Sequence, residues 1–180
     1  MEETVPVIAA LGDLTRLDDQ EDTLISRPLA IPLLFGARLP IEIEGYEIDP
    51  KPQDFVAAVT SLLACDDSVL EAAADALYAY SQDCAKLWAG DPGLAKVARR
   101  EDAWRRVRFT GHPLVKRRVA GDRQIYVSIP AACDWAPRQG LQVVLKQGRR
   151  VTKLGPYDGH LSNADASGNP ADEAVVYRRG

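Results

Sequence analysis

The stretch from Pro52 to Trp88 constrains the fold most, because its apolar residues recur at the spacing of one helix face. Phe55, Val56, Val59, Leu62 and Leu63 are separated by three and four residues, which predicts a helix over Gln53–Cys65. Pro52 suits its first turn, where the missing N–H would have no partner. Asp67 or Ser68 can cap a second helix reaching about Trp88. Its stripe is Val69, Leu70, Ala73, Leu77, Tyr80, Cys84 and Leu87, and its many alanines favour helix. The short link predicts an antiparallel helical pair over 52–88. Gly90-Asp91-Pro92-Gly93 ends the unit, and a third short helix is expected from about Leu94 to Trp104.

On both sides the period changes to two. Residues 27–49 read as strands, with Pro32 and Pro40 confined to edges or strand starts and Ile41-Glu42-Ile43-Glu44 alternating apolar and charged. A first strand is expected in Val5–Leu11 and a solvated acidic loop over Asp18–Asp22. Residues 105–155 read as antiparallel strands: Val107–Thr110, Leu114–Val119 and Gln124–Ile129, with Gly121-Asp122 as a turn. Leu141–Lys146 and Arg150–Leu154 form a hairpin through Gln147-Gly148-Arg149. Residues 155–172, rich in Gly, Pro, Asn, Asp and Ser, are expected as loop, and Ala174–Tyr177 as a last strand. The expected fold class is α+β, a largely antiparallel sheet packed against the antiparallel helical pair, in one domain over 1–180.

A chain of 180 residues can bury a sizeable core without staples. Its acidic start and lack of a long apolar run lead us to expect a cytoplasmic protein without a membrane span. Cys65, Cys84 and Cys133 show no metal or redox spacing and are expected as free, mostly buried thiols. The net charge of −4 is unevenly divided. Residues 1–90 hold 17 acidic against 5 basic residues, and residues 91–180 hold 9 against 17, balances of −12 and +8. Such polarity either marks an interaction surface or is neutralised where the halves pack together.

Few residues carry obvious chemistry. The histidines are His112 and His160, and no zinc-protease, P-loop, dinucleotide or nucleophile-elbow motif occurs. No cofactor or metal is expected, and no catalytic residue can be assigned. Two groups stand out as candidate binding residues. The first is the loop holding Tyr157, Asp158, His160, Asn163 and Asp165. Its hard oxygens suit calcium, but the match to a calcium-binding loop fails at Ala174, so turn-capping explains the composition as well. The second is an arginine cluster including Arg105, Arg106 and Arg108, interleaved with Trp104, Phe109 and Tyr126. Forked guanidinium groups suit carboxylates and phosphates, and aromatic residues can stack on bases. The isoelectric point near 5.2 argues against nucleic acid; an acidic protein partner suits the arginines better, and a solvated sheet face explains the run just as well.

The C-terminal third, with Cys133-Asp134-Trp135, Gln139-Gly140-Leu141-Gln142 and Gly155-Pro156-Tyr157-Asp158-Gly159-His160, resembles an uncharacterised family of bacterial proteins. The helix carrying Tyr78-Ala79-Tyr80 and Asp83 is also similar. The resemblance supplies no catalytic residues, and it implies an immunity-like or accessory protein. A non-enzymatic protein-binding module is expected first, with the acidic residues of 13–22 and 42–54 able to mimic nucleic acid toward a basic partner. An enzyme or metal-dependent protein built on Asp158–Asp165 is expected second, and nucleic-acid binding through the arginines third.

Overall fold

The computed structural model describes residues 7–17 and 20–179. It is mixed α and β, with a large sheet whose neighbours are antiparallel at every junction but one. The strands are β1 (Val7–Ile8), β2 (Gly12–Leu17), β3 (Gln20–Ser26), β4 (Leu29–Ile31), β5 (Ala37–Leu39), β6 (Glu42–Glu44), β7 (Val107–Arg108), β8 (Leu114–Arg117), β9 (Ile125–Cys133), β10 (Leu141–Lys146) and β11 (Arg150–Gly155). The main sheet runs β1-β2-β3-β6-β8-β9-β10-β11, and β7 pairs with the far end of β9. The exceptional junction is β6 against β8, which are parallel with Ile43 opposite Val115. β4 and β5 form a separate hairpin.

The helices are α1 (Gln53–Ala64), α2 (Ser68–Glu71), α3 (Ala74–Leu87) and α4 (Asn163–Ser167). Against the expected second helix, the chain turns at Ala72-Ala73 and divides it into α2 and α3. The Ser68 N–H is accepted by Asp66, which takes the role expected of Asp67 or Ser68. Phe55, Val59 and Leu62 of α1, and Leu77, Tyr80 and Cys84 of α3, are buried as the apolar spacing requires. Leu87 departs from its stripe and lies 75% exposed, because the helix ends there and the next turn leaves the core. α1 packs over β8 and β9, and α3 over β11.

Other expectations shift in detail. Residues 20–22 belong to β3 rather than a loop, while Asp18 and Asp19 lie outside the described residues, as does the start of the expected Val5–Leu11 strand. Pro32 opens a 3-10 turn, Pro32–Leu34, whose Leu33 and Leu34 are buried. The expected helix over 94–104 is reduced to two such turns, Arg100–Asp102 and Trp104–Arg106. The loop over 155–172 contains α4, capped by the Ser162 hydroxyl accepting from the Asp165 N–H. Residues 174–177 form no strand; they run beside β11 with the Leu154 N–H donating to the Val176 carbonyl at 2.8 Å.

The β10–β11 turn is pinned to α1. A Cβ on Gly148 would stand 2.1 Å from the Ala58 carbonyl oxygen, and φ there is +69°, so both space and backbone demand glycine. Trp135 is 1% exposed with its ring edge-on to Tyr80 at 6.1 Å, whereas Tyr157, an aromatic that would equally suit the core, is 52% exposed. Among the described residues no helix is long and apolar enough to cross a membrane.

Candidate functional site: two arginine populations and a tethered loop

The basic cluster resolves into groups with opposite environments. Arg117 closes β8 and Arg118 follows it, so the two side chains leave on opposite faces of the sheet. Arg117 forks onto Asp49 at 2.6 and 2.9 Å, reaches Asp54 at 2.9 Å and the Arg123 carbonyl at 2.7 Å, and lies over the Phe55 ring. Its hydrogen bonds hold the Asp49 carboxyl below the usual carboxylate range. Arg118 is only 4% exposed. It meets Asp165 at 2.7 and 2.8 Å, Glu173 at 2.5 and 2.9 Å and Ser162 at 2.9 Å, with Tyr126 beside it. These bonds raise an already high guanidinium pKa. Gly121, at φ +66°, leaves the space that Arg118 fills. Every nitrogen of both forks meets an acceptor, one fork gripping the α1 side and the other the C-terminal segment.

Arg105, Arg106 and Arg108 stand elsewhere, on the 3-10 turn and short strand that follow Trp104. The Trp104 indole N–H donates to the Leu70 carbonyl at 3.0 Å, and β7 is held against the end of β9 through Val107 opposite Cys133. This anchors the backbone while the guanidinium groups stay in solvent. Arg105 is 79% exposed along its side chain and makes one long bond to Asp102, 3.3 Å. Arg106 stands 3.8 Å from Asp134, beyond hydrogen-bond reach, and Arg108 donates to the same carboxylate. Each fork has five N–H groups, so Arg105 and Arg106 have most of theirs open to solvent or a ligand. A cleft of about 480 Å³ opens beside them, lined by Lys96, Val97, Asp102, Arg105, Arg106 and Asp134.

The 157–165 loop lies over the sheet face opposite the helices, where Tyr126, Val144 and Leu161 make a small second core. A polar ladder crosses β9, β10 and β11 beneath it. Gln142 donates to Ser128 at 2.8 Å and to the His160 carbonyl at 3.1 Å, and Lys153, 2% exposed, donates to Gln142 at 2.8 Å and Asp158 at 2.6 Å. Burial pushes the Lys153 ammonium below its ordinary pKa. Burial also presses the Asp158 carboxyl upward, but Lys153, the His160 N–H and His160 outweigh it and hold the group low. The His160 ring is half exposed with Nδ1 3.4 Å from Asp158. Asn163 donates to the carbonyls of Val175 and Val176, and Asp165 is taken by Arg118. Tyr157 is 52% exposed.

Asp158 and His160 are thus brought together, while Asn163 and Asp165 turn to separate partners and Arg105, Arg106 and Arg108 form their own surface. Among the described residues no three His, Cys, Asp or Glu side chains gather as a metal site would need. The thiols of Cys84 and Cys133 are pushed up by burial to about 11 and about 12, so both are protonated at neutral pH. Lys153, Gln142 and Ser128 were not singled out by the sequence. The available signal was a lysine next to Leu154 in the expected hairpin strand Arg150–Leu154.

This is a sheet-based α+β protein with an exposed arginine-rich surface and a tethered loop. The chain belongs to the family of the domain of unknown function DUF6985, whose family model matches residues 13–161. No curated protein and no solved structure matches the chain.

Proposed function

We propose that the protein is a non-enzymatic protein-binding module that receives an acidic partner on Arg105, Arg106 and Arg108. The observation carrying this reading is the open guanidinium forks of Arg105 and Arg106, exposed on a backbone fixed by Trp104 and β9. A fork presented from a fixed backbone can meet a carboxylate through two parallel N–H bonds, so it selects and steers an acidic surface. The acidic half of the chain is less free to serve. Among the described residues, Glu47 pairs with Arg16, Glu42 with His112, Glu44 with Lys116, and Asp49 and Asp54 with Arg117. Those pairs support internal neutralisation there. An immunity-like or accessory role would use such a surface to occlude its partner.

The test is affinity capture from the lysate of the source cells, with nuclease, using the wild type and Arg105→Glu/Arg106→Glu. A stoichiometric protein held by the wild type and lost from an equally stable variant supports the reading. Equal retention by both contradicts it, and nucleic acid as the sole retained species would transfer the arginines to that ligand.

A second reading, small-molecule or enzymatic chemistry at the tethered loop, is favoured by one observation. Lys153 and Asp158 both line a cleft of about 320 Å³ that also takes in Tyr80, Cys84 and Tyr177. Loss of a turnover or ligand response in Lys153→Met, with the fold retained, is its test.

A further inference from the structure

The cleft beside Arg105 and Arg106 is walled by three separate parts of the chain, and each wall is fixed from behind. Val97 is buried, and its carbonyl accepts from the Gln82 side chain at 2.9 Å, while the Ala98 carbonyl accepts from the Tyr78 hydroxyl at 3.3 Å. Both donors stand on α3, so the segment carrying Lys96 is tied to that helix. The second wall is the turn at Trp104, anchored on Leu70. The third lies just past the end of β9, where the Asp134 N–H donates to the Arg106 carbonyl at 3.2 Å. Lys96, Asp102, Arg105, Arg106 and Asp134 thus line one space of about 480 Å³, a size typical of ligand sites.

The charges around that space do not cancel. Both of its carboxylates are engaged by arginines outside the lining: Arg99 donates to Asp102 at 2.9 Å, and Arg108 donates to Asp134. The Arg99 bond holds the Asp102 carboxyl below the usual carboxylate range. Glu101, the next acid along, stands 4.0 Å from the same Arg99. Arg105 adds only its 3.3 Å contact to Asp102, and Arg106 stays 3.8 Å from Asp134. Lys96 is exposed, with no ion pair or side-chain hydrogen bond among the described residues. With Asp102 and Asp134 answered by Arg99 and Arg108, the cations of Lys96, Arg105 and Arg106 are left over around one cleft.

We infer that this cleft receives a phosphorylated serine or threonine side chain of a protein partner. The inference rests on the protein-binding reading above and narrows its acidic partner to a phosphoprotein. A phosphate monoester concentrates a charge of about −1.5 to −2 and three acceptor oxygens at one point, which suits two open forks and an ammonium bordering one space. Carboxylates along a peptide bring one charge each and are spread over several residues, so they leave part of the set unanswered. A nucleic-acid backbone carries one charge per phosphate and distributes it along a strand, whereas the spare cations here border a single cleft of a chain with an isoelectric point near 5.2. Nucleic acid therefore enters the test as an outcome, and so does free phosphate.

The experiment measures fluorescence anisotropy of labelled probes with the full chain at about 150 mM salt. One probe is a peptide of about nine Gly, Ser and Asp residues with a central phosphoserine. The second has two Asp residues in that place and the same charge, and the third is a single-stranded oligonucleotide. The wild type is expected to hold the phosphopeptide at least about tenfold more tightly than either other probe. Arg105→Met/Arg106→Met is expected to bind the two peptides alike, and Lys96→Met to weaken the phosphopeptide about fivefold. Arg138→Met removes an exposed cation outside the cleft and should bind as the wild type does. These variants change exposed side chains and are expected to melt within about 2 °C of the wild type. Equal binding of the two peptides to the wild type, or a preference that survives the cleft variants, overturns the phosphoryl assignment and leaves the acidic-partner reading standing. Inorganic phosphate that displaces the phosphopeptide at a concentration equal to it would assign the cleft to the free ion and overturn the protein-borne source. Failure of both peptides to bind, or tightest binding of the oligonucleotide, overturns the acidic-partner reading as well.

Discussion

Arg117 and Arg118 follow one another in the chain and do the opposite of Arg105 and Arg106, which also follow one another. The first pair is drawn into the two faces of the sheet, where each fork meets carboxylates with bidentate geometry. The second pair sits on a 3-10 turn at the sheet margin, with 3.3 Å the shortest carboxylate contact between them. Strand geometry accounts for the first case, since neighbouring side chains point to opposite faces and each face has acidic residues waiting. The turn accounts for the second, since it puts both side chains outward, with Asp102 and Asp134 their carboxylate neighbours among the described residues. Equal composition therefore yields two functions, clasping the fold and presenting charge, and the difference lies in how many N–H donors the fold consumes.

The comparison is broken most easily at Arg118. Arg118→Met leaves Asp165, Glu173 and Ser162 without their shared donor, and we expect it to destabilise the protein by about 3 kcal/mol in urea denaturation. Arg118→Lys should recover only part of that loss, because a single ammonium cannot replace the fork. Lys153→Met should cost about 2 kcal/mol, since it removes the shared ammonium donor from the Gln142 carbonyl and from the Asp158 carboxylate, which keeps only the His160 side of its contacts. A smaller effect should follow pH. Asp49 and Asp158 have folded pKa values below their unfolded ones, so the stability they contribute is present above the unfolded value and lost as pH falls through the folded one. The urea midpoint should therefore drop as the pH is taken below about 4, and Arg117→Gln should flatten the part due to Asp49. Least of all, Arg105→Ala should shift stability by no more than about 0.5 kcal/mol.

Much of this architecture was legible in the residues. The helical stripe of Phe55, Val59 and Leu62 and the alternation of Leu141, Val143 and Leu145 report burial directly, because side-chain period follows backbone geometry. The parallel meeting of β6 and β8 was not legible, since it joins segments some seventy residues apart and leaves no local mark. The α2–α3 break escaped because Ala72 and Ala73 favour helix, so no residue there marks the turn. The family resemblance read in the C-terminal third agrees with the coarser finding of a domain of unknown function over 13–161. In the candidate sites, residue type pointed to the arginines and the loop. Which arginines are consumed could not be read, because Asp49 and Asp165 meet their partners only through the long-range fold.

The division between clasping and presenting arginines is tested most directly by equilibrium urea denaturation of Arg118→Met beside Arg105→Ala/Arg106→Ala. The account predicts a loss of about 3 kcal/mol in the first and an unchanged midpoint, within about 0.5 kcal/mol, in the second. Comparable losses in both would show that Arg105 and Arg106 are structural, and would contradict it.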